Sequence, residues 1–422
     1  MRLFQTLSPQ EVWERIQQHI HPLPPEQVPL AEGGGRICAE KILAPEDLPA
    51  FNRSAVDGYA VLSFETFGAS EASPALLNLA GEVRMGEGAP PHIPGSCYYV
   101  PTGAMLPEGS DAVVMLEYTE SLGDLVQILK PVSPGENVLT RGEDFKQGGE
   151  VLNPGKELRA EELGALSALG IMHVRVFAKP NGIIFSTGNE VVEPSEKIVP
   201  EGKIRDCNAP MIQELCRKKG VSLEYGGILP DDPVIFRKAL SKALDQKDFV
   251  VLSGGSSVGI RDFTAEILKE LSGGELLVEG VTMQPGKPFL LALCRGKPVI
   301  GLPGHPVSAL STFLLFGTRI LDRLRGKTVS ACQPVVRARL ARDVPSRPGR
   351  TDVIRVQLEQ QRTSHQGTEE GKSWVAHPIF GRSGLLHTLT EADGFVMVPP
   401  DQEGLLAGQE VEVIIYGINT YE

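Results

Sequence analysis

Residues 248–262, DFVVLSGGSSVGIRD, predict a short buried strand, a glycine-rich turn and a helix that starts near Asp262. The turn and the beginning of the helix contain three glycines and three serines: Gly254, Gly255, Gly259, Ser253, Ser256 and Ser257. Close backbone N–H groups, hydroxyl donors and the positive end of the helix together form a cradle for an oxyanion. Asp262 adds a carboxylate, which suits a divalent metal ion. The alternative is an ordinary strand-to-helix turn, because the lysine of a Walker A loop is absent.

Two further polar loops have the same character, STGNE at 186–190 and GLPGHP at 301–306. From about residue 180 the chain alternates between short apolar runs and helical patterns. Strands are predicted at 182–185, 221–225, 249–252, 289–293 and 299–302, and helices at 211–219, 233–244, 263–271 and 307–324. This alternation predicts a mainly parallel sheet with helices on both faces. Ligands bind at the carboxyl ends of such strands, so one crevice is expected to collect the three loops.

The bulk composition excludes several classes of protein. The chain has 422 residues, which is too long for one core and predicts about two to four domains. A formal net charge of −12 argues against a nucleic-acid partner and against binding to an anionic membrane. The six cysteines are scattered without a C-x-x-C pair, which favours reduced thiols. No apolar run reaches membrane-spanning length and the first residues do not resemble a signal peptide, so a cytoplasmic location is expected.

The rest of the chain favours short strands and a few helices. Ser8, Pro9 and Glu11 form a capping box, which predicts a helix to about residue 20. A second helical piece is expected after residues 33–35, and a third over 159–170. Strands are predicted at 28–30, 97–100, 112–116, 125–129, 335–340, 353–358, 374–378, 394–398 and 410–415. The last five predict a small β-barrel or sandwich, with polar residues 359–372 as a hairpin tip or a loop.

Two charged loops lie in the amino-terminal half of the chain. Residues 51–60, FNRSAVDGYA, carry Asp57 before a glycine with an arginine nearby, and residues 141–144 are RGED. An Asp-Gly turn and a charged surface turn are the plain interpretations of these loops. The functional interpretation is an exposed carboxylate next to a cation. A single copy of each pattern does not separate the two interpretations.

Several of these segments, in this order, resemble one family, the MoeA and gephyrin E-domain family of molybdopterin molybdenumtransferases. The matching stretches are SAVDGYA (54–60), TGA (102–104), RGED (141–144), STGNE (186–190), DDP (231–233), SGGSSVG with Asp262 (253–262), PGKP (285–288), GLPGHPVSA (301–309), GRTDVIR (349–355) and RSG (382–384). They extend over nearly the whole chain. Each motif is weak alone, and their joint order and spacing make the resemblance specific.

The resemblance implies a multidomain fold of α/β and β parts. Its domains are an N-terminal linker domain at 1–50 and 140–178, an inserted β-rich domain at 51–139, a MoaB/MogA-like α/β domain with a mostly parallel sheet at 179–326, and a small C-terminal β-barrel at 330–422. The family is described as homodimeric enzymes of molybdenum cofactor biosynthesis. They hydrolyse adenylylated molybdopterin with the help of Mg²⁺, release AMP and transfer molybdate to the dithiolene. A MogA/MoaB-type adenylyltransferase is the implied upstream partner.

The family motifs also imply roles for residues of this sequence. The implied catalytic residues are Asp57, Asp144, Glu190, Asp262 and Lys287, of which Asp57, Glu190 and Asp262 are also the implied Mg²⁺ ligands. The implied substrate-binding residues, besides the six of the cradle, are Thr102, Arg141, Ser186, Thr187, Gly188, Asp206, Asp232, Pro303, Gly304, His305, Ser308, Arg350, Arg355, Arg382 and Ser383. Pyrophosphate and molybdate are both oxyanions, which suits the cradle and the arginines. Asp57 and Asp144 are expected to reach the crevice across a dimer interface.

Four positions differ from the residue that the family often has. Gln284 stands where lysine is frequent, Asn189 where aspartate is frequent, Ile260 where an acidic residue is frequent and His305 where asparagine is frequent. A tungstate-preferring or weakened enzyme is therefore an alternative interpretation. A non-enzymatic dimeric scaffold of the same fold and a hydrolase of another adenylylated metabolite are the remaining alternatives.

Overall fold

The computed structural model describes residues 6–254, 258–273, 276–328, 335–363 and 371–416, without the side chains of 258–262, 362, 363, 371 and 372. The chain divides into two compact units. The first unit comprises Met1–Glu26, Gly35–Ile37 and Phe177–Glu422, and the second unit comprises Gln27–Gly34 and Cys38–Val176. The finer division into four domains stays a prediction. Within the described ranges, no helix is long and apolar enough to span a membrane.

The helices follow the predicted pattern closely. The α-helices are α1 (Pro9–His19), α2 (Ala160–Ala168), α3 (Asn208–Lys218), α4 (Pro233–Gln246), α5 (Val258–Leu271), α6 (Pro306–Thr312), α7 (Thr318–Leu324) and α8 (His387–Thr390). A π-helical stretch, Phe313–Gly317, joins α6 to α7. The predicted capping box starts α1, because the Ser8 hydroxyl accepts from the Glu11 N–H and the Glu11 carboxylate accepts from the Ser8 N–H.

Three helix predictions differ from the structure: one predicted helix does not form in the described residues 36–50, and two helices begin earlier than predicted. Residues 33–35 form turns rather than leading into a helix, because Gly35 adopts φ +69°, a left-handed conformation that does not continue a helix. The helix α5 begins at Val258 rather than near Asp262, so Asp262 belongs to its second turn. The helix α3 begins at Asn208, three residues before the predicted start.

The strands up to residue 177 are β1 (Pro25–Pro29), β2 (Ile42–Leu43), β3 (Arg53–Ser54), β4 (Gly58–Val61), β5 (Ala75–Glu82), β6 (Ser96–Val100), β7 (Ala112–Met115), β8 (Thr119–Leu122), β9 (Leu125–Ile128), β10 (Val138–Leu139), β11 (Glu150–Leu152) and β12 (His173–Phe177). Those that follow are β13 (Asn181–Thr187), β14 (Val191–Val192), β15 (Ile204–Arg205), β16 (Ser222–Leu229), β17 (Phe249–Gly254), β18 (Val278–Glu279), β19 (Met283–Gln284), β20 (Leu290–Cys294), β21 (Lys297–Leu302), β22 (Val335–Leu340), β23 (Val344–Pro345), β24 (Thr351–Thr363), β25 (Gly371–Ile379), β26 (Gly394–Val398), β27 (Gly404–Leu405) and β28 (Glu410–Ile415).

The second unit is built around a six-stranded sheet in the order β7-β4-β6-β5-β9-β8. The three strands predicted between residues 97 and 129 are confirmed as β6, β7 and β9. Gly58 begins β4, which pairs with a strand on each side. A Cβ atom at Gly58 would lie 2.1 Å from the Val114 carbonyl oxygen, so this close pairing requires glycine.

The first unit contains a six-stranded sheet in the order β16-β13-β17-β21-β20-β18. The strands β16, β13, β17 and β21 run parallel, whereas β20 and β18 join antiparallel at one edge. One buried cluster contains residues of α1, α3, α6 and α7, and a second contains residues of α4 and α5. The prediction of a mainly parallel sheet with helices on both faces is confirmed. The edge is antiparallel because Arg295 and Gly296, both with positive φ, form a tight hairpin between β20 and β21.

The C-terminal part of the first unit is a closed barrel of five strands. Their order is β24-β25-β22-β28-β26, and β26 pairs back to β24. The five predicted strands are confirmed, and the closure excludes the sandwich alternative. Val356, Ala376, Val396 and Val413 belong to the barrel's buried core. The prediction of a hairpin tip or loop over 359–372 is wrong at both ends, since β24 continues to Thr363 and pairs with β25 from Gly371. Residues 364–370 of the predicted tip lie outside the described residues.

Candidate functional site

The carboxyl ends of β13, β17 and β21 lie side by side, because these strands are parallel neighbours. Ser186 stands in register with Ser253, and Ser253 with Leu302. The three polar loops predicted from the sequence therefore begin next to one another, at the carboxyl ends of the parallel strands. We call this region the strand-end site and define it by six residues: Ser186, Thr187, Asp206, Asn208, Ser253 and Gly304.

Two glycines allow close approach at this edge. Gly254 adopts φ +123°, and a Cβ atom there would lie 2.2 Å from the Thr187 carbonyl oxygen. Gly188 adopts φ +128°, and a Cβ atom there would lie 2.5 Å from a carboxylate oxygen of the exposed Glu190. Only glycine fits either position without displacing a neighbour. The Glu190 carboxylate consequently lies directly over the backbone of the 186–190 loop.

Asp206 gathers hydrogen bonds from two parts of the chain. Its Oδ2 accepts from the Ser186 hydroxyl at 2.5 Å, and its Oδ1 accepts from the N–H groups of Asn208 and Ala209 at 3.0 and 3.2 Å. A carboxylate at this position satisfies the free N–H groups at the start of α3. It also explains why α3 begins earlier than the apolar pattern predicts. Burial, together with the neighbouring Glu193 and Asp206 carboxylates, raises the pKa of the Tyr225 phenol.

Asn208 joins the second and third polar loops and was missed by the sequence analysis. Its side-chain amide donates to the Ser253 hydroxyl oxygen at 2.9 Å and to the Gly304 carbonyl oxygen at 2.8 Å. The side chain is buried, with 6% of the residue exposed. Local sequence offers one signal, since Asp206 and Asn208 are both capping-type residues ahead of an apolar helix. Their partners lie far away in the chain and leave no local trace.

The loops on the outer side of the site are held by a second set of contacts. The Asp231 carboxylate accepts from the Asn189 N–H at 3.2 Å, and the Asn189 side-chain oxygen accepts from the Asp231 N–H at 3.3 Å. Lys203 donates to the Asn189 carbonyl oxygen. Asp232 caps α4, since its Oδ1 accepts from the N–H groups two and three residues later at 2.8 and 3.1 Å. Asp232 thus has a structural task at the position where a substrate contact was predicted.

The C-terminal barrel carries a pocket of about 230 Å³, which we call the arginine pocket. It is lined by residues that include Gln284, Arg350, Asp352, Arg355, Arg382 and Ser383. Arg350 Nε donates to Asp352 Oδ1 at 2.8 Å, so its charge is paired. Arg355 is 5% exposed, donates to the Gly381 carbonyl oxygen at 3.0 Å and has an Nε without a hydrogen-bond partner among the described residues. Burial lowers the pKa of this guanidinium.

Hydrogen bonds at Ser383 link the arginine pocket to the third polar loop. His305 Nδ1 and the Ser383 hydroxyl lie 2.9 Å apart, and the Val307 N–H donates to the Ser383 carbonyl oxygen at 3.1 Å. Ser383 lines the pocket, whereas His305 follows Gly304 in the third polar loop. The arginine pocket therefore lies next to the third polar loop of the strand-end site.

The remaining predicted residues of the first unit fall into described and undescribed positions. Lys287 is exposed, and Pro303 and Ser308 are buried. Gly255, Ser256 and Ser257 lie outside the described residues, as do the side chain of Asp262 and the surroundings of Gly259. Within the described part of the chain, no three His, Cys, Asp or Glu side chains are grouped so as to hold a metal ion. The predicted Mg²⁺ ligand set, which includes the undescribed side chain of Asp262, stays a prediction.

The second unit contains four of the predicted residues, which we call the loop site: Asp57, Thr102, Arg141 and Asp144. Asp57 Oδ1 accepts from the Thr102 N–H at 2.6 Å and from the Thr102 hydroxyl at 2.9 Å. These bonds, the backbone one first, hold the pKa of the Asp57 carboxyl below its usual range. Asp57 is nevertheless exposed. Its carboxylate is thus charged, oriented and accessible.

Arg141 is oriented by two residues that the sequence analysis did not single out. Its Nε donates to Asp47 Oδ2 at 2.7 Å, and its backbone N–H donates to the Asn52 side-chain oxygen at 2.8 Å. Asn52 belongs to residues 51–60, which also contain Asp57. This stretch therefore carries one residue of the loop site and orients another, Arg141. Asp144 is exposed, and its N–H donates to the Leu48 carbonyl oxygen at 3.0 Å.

Family models match most of the chain. The "MoeA N-terminal region (domain I and II)" matches residues 7–170, the "Probable molybdopterin binding domain" matches 183–323 and the "MoeA C-terminal region (domain IV)" matches 337–416. A molybdopterin molybdenumtransferase of Haemophilus influenzae is 32% identical over 401 residues, which cover 94% of this chain and 95% of that protein. The chain belongs to the MoeA family. The resemblance drawn from the ordered motifs is confirmed.

Further MoeA relatives agree over the full length. A molybdopterin molybdenumtransferase of Staphylococcus epidermidis is 30% identical over 419 residues, which cover 99% of this chain and 97% of that protein. The crystal structure of the molybdopterin biosynthesis MoeA protein of Pyrococcus horikoshii OT3 matches with a TM-score of 0.82 and 34% identity, over 98% of this chain and 100% of that chain. The MoeA architecture thus extends through both units and the C-terminal barrel.

Proposed function

We propose that this chain inserts molybdenum into molybdopterin, by hydrolysing adenylylated molybdopterin, releasing AMP and transferring molybdate to the dithiolene. Membership of the MoeA family gives the chain a role in molybdenum cofactor biosynthesis. Relatives named molybdopterin molybdenumtransferase match nearly its whole length, which supports the same transfer here.

The observation that carries the proposal is the direct contact between the third polar loop, which follows the strand-end site, and the arginine pocket. A phosphate bound at Ser253 and Gly254 contacts the Ser253 hydroxyl and a stretch of backbone that Gly254 leaves free of a side chain. A tetrahedral oxyanion in the arginine pocket meets the buried Arg355 and the exposed Arg382. The His305–Ser383 hydrogen bond connects the two positions. One site therefore suits both anions of the reaction, the phosphate of the pterin and the molybdate.

The loop site adds a second set of charged groups. Asp57 is a charged, exposed carboxylate that suits a general base or a metal ligand, and Arg141 suits a phosphate. Because these residues lie in the second unit, we include in the proposal a homodimer in which loop site and strand-end site act together. Mg²⁺ at Asp57, Glu190 and Asp262, a cytoplasmic location and an upstream MogA/MoaB-type adenylyltransferase complete it.

The decisive test is AMP release by the purified chain. Adenylylated molybdopterin and Mg²⁺ are supplied with molybdate, with tungstate or with neither, and AMP and metallated pterin are quantified. Oxyanion-dependent AMP release with metallated product is expected, and simple dinucleotides are expected to remain intact. Cleavage of dinucleotides at a similar rate would indicate a general pyrophosphate hydrolase. Binding without AMP release would indicate the scaffold. Full activity in a Lys287→Ala, Asp262→Ala double variant would refute the assigned catalytic residues.

One observation favours an alternative oxyanion. Gln284 lines the arginine pocket at the position where the family often has lysine, so the pocket has one cation fewer. Fewer cations lower the affinity for any oxyanion and change the balance between closely similar ones. The comparison of molybdate with tungstate in the same assay distinguishes a molybdenum enzyme from a tungstate-preferring or weakened one. A Gln284→Lys variant is the matched control and is expected to bind both oxyanions more tightly.

A further inference from the structure

Asn208 controls the direction of the hydrogen bonds at the strand-end site. A carbonyl oxygen can only accept a hydrogen bond, and the Gly304 carbonyl accepts from the Asn208 amide at 2.8 Å. This contact fixes the orientation of the amide, because a rotated amide would place two oxygens against each other. The same NH₂ group then points at the Ser253 hydroxyl oxygen, 2.9 Å away. Ser253 must accept from Asn208.

Acceptance from Asn208 leaves the Ser253 hydrogen for another partner. A serine hydroxyl has one hydrogen and two lone pairs, and the Asn208 bond occupies a lone pair. Among the described residues, none accepts a hydrogen bond from this hydroxyl. The site is one at which an anion is expected, and an anion accepts hydrogen bonds only.

Ser186, the register partner of Ser253, has the opposite arrangement. Its hydroxyl donates to Asp206 Oδ2, and a carboxylate offers no hydrogen in return. The Ser186 hydrogen is thus used inside the protein, and only its lone pairs face other groups. Two serines at neighbouring strand ends therefore differ in their hydrogen-bond roles: Ser186 donates within the protein, whereas Ser253 accepts. Asp206 and Asn208, near the start of α3, determine these roles.

We propose that Asn208 is a positioning residue of the substrate site, which commits the Ser253 hydroxyl to donating its hydrogen to the bound phosphate of molybdopterin and holds the Gly304 loop beside it. The inference rests on the proposed function, since it assumes that a phosphate occupies the strand-end site. It assigns no chemical step to Asn208. The predicted effect falls on affinity and KM, with kcat largely unchanged for the substrate that is bound.

The test measures the affinity of the full-length chain for molybdopterin by anaerobic titration calorimetry. Ser253→Ala and Asn208→Ala are each expected to weaken binding about tenfold, the loss of one hydrogen bond to a charged group. Ser186→Ala is expected to change affinity by about twofold at most. The Asn208→Ala, Ser253→Ala double variant is expected to bind like Asn208→Ala alone, because without Asn208 the Ser253 hydrogen is no longer directed at the ligand.

The matched control is Gln213→Ala. Gln213 lies in the same helix and donates from the same chemical group to the Leu223 carbonyl oxygen at 3.0 Å, away from the strand-end site. Its removal should alter affinity by less than about twofold. A tenfold loss in Ser253→Ala that persists in the Asn208→Ala background, or wild-type affinity in Asn208→Ala, would overturn the inference.

The outcomes for the inference and for the proposed function are separable. Failure of the wild-type chain to bind molybdopterin would remove the proposed function and the inference with it. Wild-type binding with equal losses in Ser186→Ala and Ser253→Ala would overturn the inference alone. If Asn208→Ala does not fold, as judged by its Tm, the comparison of the two serine variants decides.

Discussion

The strand-end site and the loop site contain similar side chains in opposite surroundings. In the strand-end site, Asp206 and Ser253 are 7% and 3% exposed, and each accepts a hydrogen bond from a buried neighbour. In the loop site, Asp57 and Arg141 are exposed, and each is oriented by a nearby residue. A buried polar group without a partner is costly, whereas an exposed one is satisfied by water. Substitutions should therefore lower stability in the strand-end site, with an added loss of affinity where the residue faces the ligand, and should lower activity alone in the loop site.

The largest expected effect separates activity from stability at the loop site. Asp57→Asn should lower kcat for AMP release about 100-fold, because the uncharged amide cannot serve as a base. The Tm should stay within about 1 °C of the wild type, because the side chain is exposed. Calorimetry and an AMP assay on the same sample measure both. Thr102→Ala, which removes one of the two contacts to Asp57, should have a smaller effect. A large Tm loss in Asp57→Asn would contradict the comparison.

The next prediction compares two aspartates that cap helices. Asp206→Ala should destabilise the first unit by about 3 kcal/mol, since the start of α3 and the Ser186 hydroxyl lose their acceptor in a buried place. Asp232→Ala, at the start of α4 and partly exposed, should cost about 1 kcal/mol. Thermal unfolding followed by calorimetry measures the two losses. Equal losses would show that burial of the acceptor does not set the cost.

Arg355 tests whether a buried cation serves binding rather than folding. Arg355→Met removes a buried charge whose Nε has no partner among the described residues, so the Tm should not fall. The molybdate concentration that gives half-maximal AMP release should rise about tenfold, the loss of one charge-assisted hydrogen bond. A fall in Tm together with an unchanged molybdate dependence would assign Arg355 to the architecture of the barrel.

The smallest predicted effect concerns a buried carboxylate of the second unit. It tests whether burial of a carboxylate, rather than the unit in which it lies, determines how much stability its loss removes. Glu162 in the second unit is 5% exposed, and hydrogen bonds, those from Arg159 first, lower the pKa of its carboxyl to about 2. A lowered pKa stabilises the fold above the unfolded value of 4.5, and this contribution is lost as the pH falls towards 2. Glu162→Gln should cost about 1 kcal/mol at pH 7, since Arg159 and Lys156 are exposed and screened.

The measurement for Glu162 is the difference in Tm between wild type and Glu162→Gln across the acid range. The difference should shrink from pH 4.5 towards pH 2 and continue to shrink below it. Glu161→Gln, at an exposed neighbouring position, is the control and should show little difference at any pH. A Glu162→Gln difference that is independent of pH would mean that the carboxylate charge contributes nothing.

Much of the fold was accessible from the sequence, because its signals lie within a few residues of each other. The capping box of α1 involves residues three apart, and the five strands of the barrel show in their apolar runs. The parallel strands alternate with helices, which is enough to align the ends of β13, β17 and β21. The ordered motifs were sufficient to recognise the MoeA family. Each of these depends on local periodicity, capping or motif order.

The partners within the site depend instead on tertiary packing. Asn208 meets Ser253 and Gly304, which are 45 and 96 residues away along the chain, and no local pattern records such a meeting. The sequence supplies donors, acceptors and the sheet edge where they assemble. Geometry determines which donors bond within the protein and which remain available to a ligand, because a hydrogen bond requires two groups within about 3 Å in the right direction.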